Sequence, residues 1–250
     1  MAKGVHFADA AIPAGLRVYA IGDVHGRLDL LVKMHEAIAT ELARDRPGDW
    51  RILHLGDYVD RGPGSRGVLG LLAEKTRLDA RWLALAGNHD IGFLDFLAAP
   101  DPHGLFAQFG GVDTARSYGV ELDLCDPVAF ALGHAALLQA VEERHVAFLR
   151  GLEFSATIGD FFFCHAGIKP GVALECQQQR DLCWIRGEFH NHAELYPKVV
   201  VHGHTPVKAP QILANRVNVD TGAFATGVLT ALVIEGVEKR ILQVSEEAAW

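Results

Sequence analysis

The stretch His54-Leu55-Gly56-Asp57-Tyr58-Val59-Asp60-Arg61-Gly62 puts two carboxylates and a guanidinium on one short loop behind an apolar run. Arg51 to Leu55 has the length of a buried strand and Gly56 breaks it, so Asp57 belongs at a strand's carboxyl end, where open α/β sheets place their ligands. A carboxylate there can bridge two divalent cations, and a planar arginine four residues on can hold two phosphate oxygens at once. Taken alone, the loop is equally compatible with a capped turn, since Gly and Asp are ordinary turn residues. Two further stretches change that balance. Gly22-Asp23-Val24-His25-Gly26 brackets an Asp-x-His pair whose side chains can face the same way and reach one cation together. Gly87-Asn88-His89-Asp90 adds an amide, an imidazole and a carboxylate. Three apolar runs thus stop at glycine and pass at once into side chains that handle metals or protons, and successive strand ends of one sheet converge on one edge.

Those loops need a scaffold, and the apolar pattern supplies one. Arg17 to Ile21, Arg51 to Leu55 and Arg81 to Ala86 read as strands, with helices at Leu28 to Arg44, where Leu31, Met34, Ile38 and Leu42 form a stripe, and at Ser65 to Lys75. This alternation implies a parallel sheet with right-handed crossovers. Residues 91–152 are helical in pattern, interrupted by Pro100, Pro102, Gly110-Gly111 and Pro127. They read as a cap that shapes substrate access, with Phe93, Phe96, Leu97, Leu137 and Leu138 in its core. Phe154 to Cys164 turns to β character around a hairpin at Gly159-Asp160 and ends in His165-Ala166-Gly167. Asp181 to Arg186 delivers a second arginine, and Val199 to Val201 is a buried strand ended by His202-Gly203-His204-Thr205-Pro206. Arg216 to Asp220, Gly227 to Ile234 and Val237 to Val244 are expected to be antiparallel strands of a second sheet, and 245–250 a frayed tail. The expected organisation is one α/β domain over 1–250.

The chain has 250 residues, half of them apolar, and 23 Lys plus Arg against 31 Asp plus Glu, for a net charge of −8. That balance gives no basic footprint for nucleic acid. No apolar run of about 18 residues spans a membrane and no secretory core follows Met1, so the expected location is the cytoplasm. Cys125, Cys164, Cys176 and Cys183 lack C-x-x-C spacing and read as reduced, largely buried thiols.

Taken in order, Gly22-Asp23-Val24-His25-Gly26, Gly56-Asp57-Tyr58-Val59-Asp60-Arg61-Gly62, Gly87-Asn88-His89-Asp90, His165-Ala166-Gly167 and Gly203-His204-Thr205-Pro206 resemble the signature of the metal-dependent phosphoprotein phosphatase family, in its bacterial branch. The resemblance covers about residues 17 to 234. It implies a calcineurin-like metallophosphoesterase fold, with two mixed sheets packed as a sandwich between helices. It also implies a dinuclear centre: Asp23, His25 and Asp57 on one metal, Asp57, Asn88, His165 and His204 on the other. Mn²⁺ is the first expectation, with Fe or Zn²⁺ also suited to mixed oxygen and imidazole ligands. By the same resemblance a metal-bridging hydroxide attacks phosphorus directly. Arg61 and Arg186 clamp the phosphoryl oxygens together with Asn88 and His89, and His89, oriented by Asp60, protonates the leaving oxygen.

Two positions depart from the pattern. Asp90 stands where the family usually has glutamate, which leaves a supporting role as its expected one. Pro206 stands where related nucleases carry a second histidine, which favours the phosphatase branch. His202 neighbours a ligand without being selected by the pattern, His54 reads as a packed core histidine, and Trp184 is placed either at the border of the site or, as the first reading, in packing. The expected activity is hydrolysis of phosphoserine or phosphothreonine in proteins. The alternatives are hydrolysis of diadenosine tetraphosphate and an inactive module that binds phosphorylated partners, with a nuclease as the weakest rival.

Overall fold

The computed structural model describes residues 4–246. Strands β1 (Leu16–Ile21), β2 (Asp49–His54) and β3 (Trp82–Ala84) alternate with helices α1 (Leu28–Asp45) and α2 (Ser65–Leu78). Helices α3 (Asn88–Ala98), α4 (Leu105–Gln108), α5 (Gly111–Ser117), α6 (Pro127–Ala140) and α7 (Glu143–Arg150) follow without a strand between them. The remainder runs β4 (Ser155–Ile158), β5 (Phe161–Cys164), α8 (Gln179–Trp184), α9 (Gly187–His190), β6 (Val199–His202), β7 (Gln211–Ile212), β8 (Arg216–Asn218), α10 (Ala223–Thr226), β9 (Val228–Glu235) and β10 (Glu238–Ser245).

The strands form two five-stranded mixed sheets, ordered β10-β9-β1-β2-β3 and β4-β5-β6-β8-β7. Side chains alternate across each strand, and the two faces have different partners. Val18, Ala20, Leu53 and Leu55 of the first sheet share one buried cluster with Phe161, Phe163, Val199, Val201 and Val217 of the second. The intervening Tyr19, Ile21 and Ile52 pack instead with Leu30, Met34 and Ile38 of α1. On the far side, Phe162, Cys164 and Val200 pack with Leu182 of α8 and Phe189 of α9. Full burial of each such aliphatic or aromatic side chain contributes about 1.5–3 kcal/mol. The strand ends that carry the polar loops are therefore held from both faces.

The crossovers β1-α1-β2-α2-β3 are parallel, as expected from the alternation. The last two strands differ from expectation: β9 pairs antiparallel with β1, from Arg17↔Glu235 to Ile21↔Ala231, and β10 extends that first sheet, whereas β8 lies parallel to β6 in the second. Along β9, Leu229 to Ile234 are buried on both faces, so the apolar run signals a central strand without naming its sheet. The third strand's ladder stops at Ala84, and Leu85 bridges to Glu153 beside it. Leu138, expected in the core of the cap, is 49% exposed. Cys125 and Cys176 are also exposed, while Cys164 and Cys183 are buried. Ser245, expected to begin a frayed tail, pairs with Val228 instead, and 247–250 lie outside the described residues. No helix among the described residues is long and apolar enough to cross a membrane.

Candidate metal centre

The glycine-terminated loops meet at the carboxyl ends of β1, β2, β5 and β6 and at the start of α3. They are joined main chain to main chain: His25 N–H donates to Asp57 O at 2.8 Å, Gly26 N–H to Tyr58 O at 2.9 Å, Gly62 N–H to His25 O at 3.0 Å and Gly203 N–H to His165 O at 2.8 Å. Two glycines are required by close approach. A Cβ on Gly87 would collide with the Asp57 carboxylate, and one on Gly203 with that of Asp23. Backbone strain gathers at the same place. Of the six non-glycine residues with left-handed φ among the described residues, five belong to these loops: His25 (43°), Asp57 (54°), Asp60 (72°), Arg61 (69°) and His204 (66°). Such conformations cost energy and persist where the surroundings over-determine them, commonly at functional sites.

Asp57 is central. Its Oδ2 lies 3.4 Å from His25 Nε2 and 3.3 Å from His165 Nε2. The far nitrogens are committed: His25 Nδ1 donates to Val59 O at 2.8 Å and His165 Nδ1 to Leu55 O at 3.0 Å. Each ring's Nε2 is thereby aimed at the carboxylate, the arrangement by which backbone carbonyls orient metal-binding imidazoles. Asn88 Oδ1 stands 3.0 Å from His165 Nε2 and 2.8 Å from His204 Nδ1. Two compact donor groups result, His25-Asp57-His89 and Asp57-His165-His204, in each of which the ligand-capable atoms lie within 4.8 Å of one another. Asp23 adjoins these groups without belonging to either: its Oδ1 lies 3.9 Å from His165 Nδ1 and its Oδ2 accepts the His204 backbone N–H at 3.1 Å.

His89 has a different setting. Its Nδ1 donates to Asp60 Oδ2 at 2.6 Å, and Arg61 Nη2 donates to its Nε2 at 3.1 Å. Burial opposes charging the ring, but Asp57 and Asp60 outweigh it and raise its pKa. Arg61 also lies over the face of Phe224, 4.6 Å from the centroid. Arg186 Nε donates to His204 Nε2 at 3.0 Å. The predicted site residues are therefore all brought to one place. His202 is buried against Phe189 and His190 on the other side of its strand, and His54 packs on Trp82.

Two contributors were not foreseen, and a third was given packing as its first reading. Thr114 of α5 donates to Asp60 Oδ1 at 2.9 Å, so the helical insertion supports the Asp60–His89 pair directly. Asp220, beyond β8, is 2% exposed, and its Oδ2 has no hydrogen-bond partner among the described residues. Trp184, read as a packing residue, meets the His204 ring edge-on at 6.4 Å. Asp-Thr-Gly after an apolar strand at Asp220 repeats the pattern of the other loops, a signal the sequence did carry.

The donor set suits divalent cations. Burial, together with repulsion from neighbouring carboxylates, pushes Asp90 up to about 7 and Asp220 to about 6 and raises Asp23. Positive charge at the cluster would relieve that repulsion and give the orphaned Asp220 oxygen a partner. The calcineurin-like phosphoesterase pattern matches residues 16–226. The chain belongs to that family. As a calcineurin-like phosphoesterase it is a hydrolase whose family implies a dinuclear divalent-metal site, in keeping with two donor groups that share Asp57. It is similar to bis(5'-nucleosyl)-tetraphosphatase PrpE of Halalkalibacterium halodurans, 25% identical over 236 residues, 87% of this chain and 90% of that one. The corresponding protein of Bacillus thuringiensis is 24% identical over 231 residues, 85% of this chain and 88% of that one. Among solved structures, a provisionally named diadenosine tetraphosphatase superimposes with TM-score 0.65 at 21% identity, over 93% of this chain and 95% of that one. A serine/threonine phosphatase from Saccharomyces cerevisiae superimposes with TM-score 0.54 at 13% identity, over 96% and 86%. Both structural likenesses concern the fold.

Proposed function

We propose that this calcineurin-like phosphoesterase hydrolyses the phosphoric anhydride of dinucleotide polyphosphates such as diadenosine tetraphosphate. The observation that carries this reading is the similarity to bis(5'-nucleosyl)-tetraphosphatases over nearly the full length of both chains. It supports the second sequence-based expectation better than the first, phosphoserine or phosphothreonine protein. The protein phosphatase likeness, at 13% identity, says nothing of substrate.

In this reading Asp23, His25 and Asp57 hold one divalent cation and Asp57, Asn88, His165 and His204 the other, with Mn²⁺ the first choice and Fe or Zn²⁺ also compatible. Bound there, a cation pair supplies an acidified water and neutralises phosphate charge. Arg61 and Arg186 bind the non-bridging oxygens of the phosphate under attack, with Asn88 and His89 beside them. As water oxygen bonds to phosphorus, the bond to the departing phosphate breaks and its electron pair leaves with the bridging oxygen. Transfer of Arg61 from His89 Nε2 to the substrate leaves that nitrogen free to carry the proton the leaving oxygen takes up. Asp60 holds the ring in place from behind.

The test is turnover by the Mn²⁺-loaded protein of diadenosine tetraphosphate beside a phosphoserine peptide. The expected result is a kcat/KM at least about tenfold higher for the dinucleotide, which corresponds to about 1.4 kcal/mol of preferential transition-state binding. Preference for the peptide would reverse the assignment.

A further inference from the structure

Trp184 is the last residue of α8, and its side chain is 42% exposed at the rim of the site. The helix spends its apolar residues otherwise, burying Leu182 and Cys183 beneath it. The indole is in ring contact with His204, and Arg186, two residues on, reaches the same imidazole. One short segment thus presents a flat apolar surface and a phosphate-binding cation side by side. The other aromatic of the site, Phe224, is half-buried, with its face covered by Arg61 and its ring edge-to-face with His25 at 5.5 Å. Its π surface is committed to the chain's own groups. Trp184, by contrast, is 42% exposed, and His204 is the ring it meets among the described residues.

We infer that Trp184 is the stacking platform for a nucleobase of the substrate, and so a specificity-determining residue. The inference rests on the dinucleotide reading and adds to it the group that recognises the base. With the phosphates fixed at the two arginines, a nucleoside projects from the cluster toward the rim. A purine has two large π faces and no charge, and stacking on an aromatic side chain is the way such a group is held without base-specific hydrogen bonds. Tryptophan offers the largest such surface and its amphipathic ring tolerates exposure in the free enzyme.

The experiment measures binding of AMP and of ribose 5-phosphate to the Mn²⁺-loaded protein by calorimetry. The two ligands share phosphate and sugar and differ by the base. In the wild type AMP binds more tightly by roughly 5- to 100-fold, the range expected for one stacked base. In Trp184→Ala the ratio falls to within about twofold of unity, while Trp184→Phe keeps most of it and ribose 5-phosphate affinity stays constant across the three proteins, as for a platform that touches only the base. An unchanged ratio in Trp184→Ala, or no preference for AMP in the wild type, overturns the inference. Turnover of diadenosine tetraphosphate is read separately. A base-dependent ratio without dinucleotide cleavage keeps the platform and removes the substrate reading; cleavage with a ratio that ignores Trp184 does the reverse.

Discussion

The carboxylate of Asp90 is joined to the backbone of Asp57: Oδ2 accepts the Asp57 N–H at 2.8 Å, and Oδ1 accepts that of Tyr58 at 2.9 Å. Oδ2 also takes the Gly87 N–H at 2.9 Å, so one side chain in the first turn of α3 ties the loop after β2 to the loop after β3. It holds the Asp57 main chain in place, while the His89 N–H, donating to Asp57 Oδ1 at 2.9 Å, directs the Asp57 carboxylate.

Removal of that carboxylate in Asp90→Ala leaves three buried N–H groups without their acceptor. The expected cost is about 3–5 kcal/mol, which lowers the melting temperature of a chain of this size by roughly 6–20 °C. Calorimetry on the purified variant checks it. A shift of no more than a degree or two would mean that the loops are held together by other contacts.

Asp57 belongs to both donor groups, so Asp57→Asn is expected to lose bound manganese and activity together. Elemental analysis after dialysis, run beside a turnover assay, makes the comparison. A variant with full metal content and full turnover is incompatible with a shared ligand at this position.

His89→Asn should leave the metal content intact, because the proposed ligands of the neighbouring cation are Asp23, His25 and Asp57, and the His89 ring, although it lies beside His25 and Asp57, is engaged by Asp60 and Arg61. For a phosphoserine peptide, whose alkoxide leaving group is strongly basic, kcat should fall by about 10²–10⁴. For a dinucleotide the departing phosphate is a much weaker base, and the loss should be smaller. Equal losses on the two substrates would remove His89 from the leaving-group side of the reaction.

A pair of histidines away from the site contributes to the loss of stability in acid. His54 Nδ1 donates to Leu83 O at 3.1 Å, its Nε2 lies 2.9 Å from His35 Nε2, and the His35 Nδ1 is buried without a partner. Burial lowers the His54 pKa to about 4, and burial plus repulsion from His54 and Lys75 lowers that of His35 as well. An unfolded chain titrates its histidines near 6.5, so below that pH it takes up protons the folded chain refuses. Stability is full above about pH 6.5 and is lost as the pH falls toward about 4, by up to about 1.4 kcal/mol per unit for each ring. Denaturant melts at several pH values should show a shallower decline for the His35→Leu/His54→Phe double variant. The same slope in both proteins would mean that other groups set the acid limit.

The loops of the site were legible because each is a local event: an apolar run, a glycine, then chemistry-bearing side chains, all within ten residues. The parallel crossovers were legible for a similar reason, since strand and helix periods alternate along the chain. What failed was information carried by distance. An apolar stretch such as Val228–Glu235 announces burial but not which sheet it enters, because both of its faces are covered. Thr114 does its work through Asp60, far along the chain, and has no spacing that names it, whereas Asp220 sits in a strand-end Asp-Thr-Gly whose signal was present and went unread. For Trp184 packing was ranked above a place at the border of the site because tryptophan usually packs, and only the fold shows the residue left partly exposed beside His204.

Strand β1 carries the first metal-type loop between two neighbours of very different birth date, one about thirty residues on and the other more than two hundred, in the register Arg17↔Glu235 to Ile21↔Ala231. Pairing over such separations is slow and comes late in folding. On the ribosome, the emerging polypeptide displays every sequence signature of the enzyme while the strand beneath Asp23 still lacks one of its flanks. Until residues 228–235 have been made, the loop that carries Asp23 rests on a half-built sheet.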